Sequence, residues 1–351
     1  MTNEAIILVP GLPRAAVSEQ LHVFARGLVG VSERMPLREV EAPEGADDAV
    51  RLEGRRGGAD VRIDVYEAYW NDLVPSLTRA SLGVRVVRGL SLAWYWVASR
   101  VWWGSLRRKY LTFGLALSVV AFLAWYLGIL VLFVEALAAD PPSFLAGVMP
   151  GLEGAVDRIG GLGFWAVASA LVGVLPVAML VDLSDFTKRY MSDEPSAPDT
   201  PPLRSVIQER IRGRVRRAVT AGTYDRVTIV GHSFGAVVAA DYLADAPPSG
   251  VPVRLITMGS LLEVLARRAP WLAADMDRLA RRPDLEEWVD IRIVSDWFAS
   301  GARLEGQPGP RTVEVRSDET FVDKAAARVH ARYFGNQETV REVLRTTDPA
   351  A

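Results

Sequence analysis

The residues with the clearest chemical potential are Gly231-His232-Ser233-Phe234-Gly235, a G-x-S-x-G pentapeptide. A serine hydroxyl becomes an effective nucleophile when a base takes its proton and the backbone presents it to a substrate. Val227–Val230, apolar and β-branched, read as a buried strand in front of the motif, and Ala236–Ala244 read as a helix behind it. Strand, G-x-S-x-G, helix is the context of a nucleophile elbow, whose turn is sharp enough to call for glycine at Gly231 and Gly235. The chain has three histidines, His22, His232 and His330. His232 adjoins the serine, where its ring cannot easily serve as base, and His22 falls in an early helical stretch, read as a surface or packing position. His330 is the only histidine downstream of Ser233 and is the candidate base. Asp296, directly after a strand-like run, is the candidate carboxylate that orients it, with Asp290, Asp318 and Asp323 as rivals. Together these residues would perform acyl transfer, with Ser233 attacking an acyl carbon.

Composition limits the alternatives. There is no cysteine, which excludes disulfides, zinc–thiolate sites and a cysteine nucleophile. Three histidines in 351 residues make a His-rich metal site improbable, and no metal is expected. A net charge of −2 argues against a general nucleic-acid binder. Half of the residues are hydrophobic and the mean hydropathy is positive, which is high for a soluble enzyme.

The elements that must position the chemistry alternate strand and helix. Ala5–Val9 read as a buried strand ending at Pro10-Gly11, and Ala15–Leu28 have helical spacing. Val61–Tyr66 alternate as a strand, and Leu203–Thr220 form an arginine-rich helical pattern with Val206, Ile207, Ile211 and Val215 on one face. Arg254–Met258 and Ile291–Val294 are further strands, and Val313–Val315 a short one. Leu261–Leu285 are a mixed helical region whose Trp271 is expected to cap the site, and Val340–Leu344 a closing helix.

Between Arg79 and Lys109 lie seven basic residues and no acidic one, interleaved with Trp94, Tyr95, Trp96, Trp102 and Trp103. This pattern suits a helix in the headgroup layer of a membrane. Leu111–Val134 and Ile159–Val181 follow, 24 and 23 residues without a charge, each long enough to span a bilayer. Small residues spaced for close contact (Gly114 and Ser118, Ala124 and Gly128, Ser169 and Gly173) suit a tight hairpin, and Pro176 is tolerable within it. Basic residues flank the outer ends, while the intervening loop has only Arg158, so both termini are expected on the cytoplasmic side. Met1–Pro13 lacks the features of a secretory signal.

The segments IILVPGLP, RVTIVGHSFGAVVAADYL, RLITMGS, VDIRIVSDWFAS and VHARYF resemble the α/β-hydrolase superfamily, on its lipase and esterase side. Ser233, Asp296 and His330 follow that family's order of nucleophile, acid and histidine. The resemblance is loose over the first 80 residues, close over 203–345, and absent from 81–202. It implies an α/β fold with a doubly wound, mostly parallel sheet, here interrupted by a two-helix membrane hairpin. It also implies an oxyanion hole from the backbone N–H groups of Leu12, after the first strand, and Phe234, after the serine. The implied organisation is a hydrolase domain in two parts, 1–80 and 203–351. Between them come an interfacial segment at 81–110, a hairpin at 111–182 and a linker at 183–202. The resemblance implies ester or thioester hydrolysis with no cofactor; the membrane segments extend this reading to lipid-like esters at a bilayer, with an acyl-protein or acyl-carrier thioesterase and a catalytically idle membrane module as alternatives.

Overall fold

The computed structural model describes residues 1–12, 16–30, 36–40, 49–56, 58–74, 177–195, 199–320, 323 and 328–345, with scattered positions between 81 and 154. The strands are β1 (Thr2–Val9), β2 (Arg38–Val40), β3 (Ala49–Arg56), β4 (Ala59–Glu67), β5 (Arg226–His232), β6 (Val253–Met258), β7 (Leu285–Ile293) and β8 (Arg311–Val315). They form one sheet in the order β2-β3-β4-β1-β5-β6-β7-β8. From β4 to β8 all neighbours are parallel, and β3 runs antiparallel to both β2 and β4.

The described helices cover both faces of the sheet. They are α1 (Glu19–Gly30), α2 (Val177–Met191), α3 (Leu203–Thr220), α4 (Phe234–Asp245), α5 (Leu262–Arg268), α6 (Pro270–Ala280) and α7 (Gln337–Leu344). Side chains of β1 alternate between two cores, as the strand period requires. Ile6 and Leu8 meet α1 and α7 through Leu21, Phe24, Leu28 and Val340. Ala5, Ile7 and Val9 meet the layer of α2, α3, α4 and α6 through Phe186, Ile207, Val237 and Leu272. The strands are accordingly near-continuous apolar runs, as in sheets buried on both sides. The expected doubly wound α/β architecture is therefore present. Its chain order reverses between β1 and β5, because β1 leads to β4 on one side and β5 begins the other.

Two expectations meet a different outcome, and a third, the membrane segments, falls mostly on residues outside those described. Among the described residues no helix is long and apolar enough to cross a membrane, and most of 81–110 and of the two apolar stretches, 111–134 and 159–181, lie outside them. Residues 183–191, expected as linker, are instead the second half of α2, with Asp185, Phe186 and Tyr190 buried. The following turn is tied by Glu194 N–H to Arg189 C=O and by Leu203 N–H to Glu194 C=O. The mixture of charge and aromatics here is amphipathic helix rather than tether: Arg88 Nε reaches Asp185 at 2.7 Å while Phe186 enters the core. Finally, Trp271 is no cap over the site. It belongs to α6, which packs on α4 as the crossover from β6 to β7; its indole lies under the Arg204 guanidinium at 3.7 Å and donates to Met191 C=O.

Candidate active site

Ser233 leaves β5 at the point where the strand order reverses, the place where open α/β sheets hold their ligands. Its backbone has φ 55° and ψ −126°, a strained conformation for a residue with a side chain. Such strain costs on the order of 1–3 kcal/mol and persists only where surrounding structure imposes it. Here Ser233 N–H is held by Met258 C=O at 2.8 Å, and α4 starts at the next residue. Glycine at 231 and 235 is a matter of space. A Cβ on Gly231 would lie 2.5 Å from Ala236 Cα, and one on Gly235 would lie 2.2 Å from Val9 C=O. The first contact lies within the elbow; the second is with β1, so Gly235 lets the start of α4 close on the end of β1.

His330 stands on a 3₁₀ turn, Arg328–Ala331, beyond β8. Its Nε2 is 2.7 Å from Ser233 Oγ and its Nδ1 is 2.8 Å from Asp296 Oδ2. Asp296 follows β7 on a turn closed by its own N–H to Ile293 C=O. The structure thus brings Ser233, His330 and Asp296 into one hydrogen-bonded line, all three buried. Burial alone would raise the Asp296 carboxyl. The electrostatic interaction with His330 and hydrogen bonds from His330, Tyr333 and the Phe298 N–H outweigh it and hold the carboxyl below its ordinary value.

The rivals lie elsewhere. Asp290 is buried within β7, bonded to Thr257 Oγ1 of the neighbouring β6 at 2.7 Å and to the Ala302 N–H, and burial pushes it up to about 6. Asp318 is exposed, and Asp323 pairs with Arg328. His22 is exposed on α1. His232 turns its ring away from the serine: its Nε2–H donates to His330 C=O at 2.9 Å. Burial, with His330 nearby, lowers its pKa to about 3, which keeps it neutral.

Two contributors were missed by sequence reasoning. Tyr333 lies one 3₁₀ turn beyond His330, a spacing that stacks side chains on one edge. Its hydroxyl donates to Asp296 Oδ2 at 2.9 Å and accepts from Ile293 N–H at 3.0 Å. Gly259 has φ +57°, and its bare Cα lets the His330 and Tyr333 rings settle over it. The H-x-x-Y spacing was a legible signal; the role of Gly259 was not.

Leu12 and Phe234 end up on neighbouring elements. Val9 is in register with Gly231, and a Cβ on Gly11 would lie 2.6 Å from Ser233 Cβ, so the loop leaving β1 rests on the elbow. Phe234 opens α4, where the first N–H groups have no intrahelical acceptor and favour negative charge. Its ring is buried edge-on against Phe186 at 4.7 Å and Tyr190 at 5.3 Å. Among the described residues no group of His, Asp and Glu is arranged to hold a metal ion. A connected nucleophile, base and acid beside main-chain donors can carry out acyl transfer by proton shuttling alone. No protein-family model matches the chain, and neither does any curated protein or solved structure.

Proposed function

We propose that this protein is a serine hydrolase of the α/β-hydrolase type that cleaves carboxylic esters, with lipid-like acyl esters at a membrane as its substrates. The observation that carries the reading is the Ser233–His330–Asp296 line on a strained serine backbone. A strained conformation at the one serine bonded to this histidine argues for a working nucleophile over an idle fold. In the reaction, Ser233 Oγ attacks the acyl carbon as its proton passes to His330 Nε2. The oxyanion so formed is met by the Leu12 and Phe234 N–H groups. Collapse of the tetrahedral species expels the alcohol, which takes the proton from His330, and leaves the acyl group on Ser233. Water, deprotonated by His330, then releases the acid and restores the serine. Asp296 orients the imidazole and stabilises its charged form without itself taking the proton.

The membrane part of the proposal rests on the two uncharged stretches of 24 and 23 residues and on the basic, tryptophan-rich segment before them. The hydrolase parts and both termini then face the cytoplasm, and anchoring raises the local concentration of bilayer substrate. The test uses the full chain in its membrane. A fluorophosphonate probe is expected to label the wild type and not Ser233→Ala, which should also lose hydrolysis by several orders of magnitude. Labelling of the alanine variant, or none of the wild type, removes the assignment. Parallel assay on liposomes, soluble esters and acyl thioesters then decides the substrate: faster turnover of thioesters would replace the lipid ester by an acyl-protein or acyl-carrier thioester.

A further inference from the structure

A developing oxyanion is stabilised most by donors that already point at it before the charge appears. The Leu12 N–H is carried on a glycine-preceded loop, whose peptide plane is free to rotate unless something outside the loop holds it. Three side chains do so. Asn71, fully buried at 0% exposure on the 3₁₀ turn after β4, donates its Nδ2–H to Gly11 C=O at 2.9 Å. Gln20 of α1 donates to the same oxygen at 3.2 Å. Trp70 donates its indole N–H to Pro10 C=O at 3.0 Å. The two donors on Gly11 C=O match the two lone pairs of a carbonyl oxygen.

A trans peptide is planar, with its C=O and N–H pointing in opposite directions. Holding Gly11 C=O towards Asn71 and Gln20 therefore aims the Leu12 N–H the other way. The same peptide leans on the nucleophile, since a Gly11 Cβ would meet Ser233 Cβ at 2.6 Å and His232 C=O at 2.7 Å. We propose that Asn71, seconded by Gln20, is a positioning residue that fixes the Gly11–Leu12 peptide and so sets one of the two oxyanion donors. This rests on the serine-hydrolase reading above. The three pins come from β4's end and α1, two elements on one side of β1, while the other donor, Phe234, is set by the start of α4. The hole is thus assembled from both sides of the reversal in strand order.

The experiment uses the full chain in detergent, with Asn71→Ala, Asn71→Asp and Gln20→Ala. Active sites are counted by fluorophosphonate titration, and turnover per labelled site is measured on a short-chain nitrophenyl ester. Losing an aimed oxyanion donor costs ~10²–10³ in kcat, so releasing one of the two bonds to Gly11 C=O is expected to cost roughly 10- to 100-fold for Asn71→Ala and less for the half-buried Gln20→Ala. KM should change by less than about 3-fold, because the donor acts on the transition state. Affinity for a boronic acid, which forms a tetrahedral adduct on the serine, should fall in step with kcat. A purely structural role would lower the count of active sites or the melting temperature and leave turnover per site unchanged; that result overturns the proposal. If the Asn71 variants do not fold, Gln20→Ala decides by the same criterion. A wild type that never labels removes the hydrolase reading instead, a separate outcome.

Discussion

Replacing Tyr333 by phenylalanine isolates one hydrogen bond to the carboxylate that orients the base. The hydroxyl is donor to Asp296 Oδ2 at 2.9 Å and acceptor for the buried Ile293 N–H at 3.0 Å. Its removal strands a buried N–H, at roughly 1–3 kcal/mol, and deletes a bond to a charged acceptor, at roughly 1.5–3 kcal/mol. One oxygen serves both, so the two costs overlap and the combined loss of stability at pH 7 is expected to be ~2–4 kcal/mol, below their simple sum. The two parts separate by pH. Asp296 is held below its ordinary value, so its bonds contribute stability that is complete above the unfolded value and is lost as pH falls through the folded one. Tyr333→Phe moves the folded value up towards the unfolded one, about 3.9, so the gap between variant and wild type should begin to narrow as pH drops below about 5 and go on narrowing through the folded value. What remains at low pH is the stranded Ile293 N–H. Urea unfolding followed by tryptophan fluorescence at several pH values measures both parts. Turnover per active site should fall roughly 10- to 100-fold, because Asp296 keeps its bonds to His330 and to the Phe298 N–H. A stability change under about 0.5 kcal/mol, the range of a featureless surface substitution, or a gap that does not vary with pH, would refute the reasoning.

Asp290→Asn should separate the rival carboxylate from the working one. Burial holds Asp290 up at about 6, so wild-type stability falls as pH rises from about 4 through 6, by at most roughly 3 kcal/mol. The amide can donate to Thr257 Oγ1 and accept from the Ala302 N–H, so this variant should show a flatter pH profile and unchanged probe labelling; lost labelling would make Asp290 the acid partner of His330. Arg254→Ala should cost about 3–5 kcal/mol, since this buried guanidinium meets Glu287 and the carbonyls of Glu342, Val343 and Arg345 at the end of α7. Chemical denaturation checks it, with turnover per folded site expected to hold. Replacing 111–176 by a short linker should preserve hydrolysis of a soluble ester and reduce action on liposomes, whereas extending the deletion through Met191 should abolish both, because Phe186 and Tyr190 of α2 pack on Phe234. Equal loss with the shorter deletion would place the hairpin within the catalytic fold.

What the sequence determined by itself was everything encoded in short range. The β-branched run before Gly231 set the strand, and Gly231 set the elbow, because its crowding against Ala236 is local, whereas the crowding that requires Gly235 comes from the distant end of β1. The apolar periodicity of Leu203–Thr220 likewise set α3 to its observed ends, with Ile207, Ile211 and Val215 inward as expected and Val206 only half-buried at the edge of that face. The order Ser233, Asp296, His330 needed only one downstream histidine and a strand end. What only the tertiary structure decided depends on elements brought together from distant parts of the chain. Asp290 and Asp296 both belong to the β7 region; Asp290 lies within the strand, Asp296 past its end, and His330 meets only the latter. Asn71 lies in no motif of the sequence, and its bond to Gly11 spans sixty positions. Residues 183–191 carried the charge of a linker, yet their aromatic side chains found Phe234 to pack against, and burying those rings outweighs the local preference of the segment. A pattern of residue types specifies which face is apolar; which neighbour covers that face is fixed only when the sheet closes.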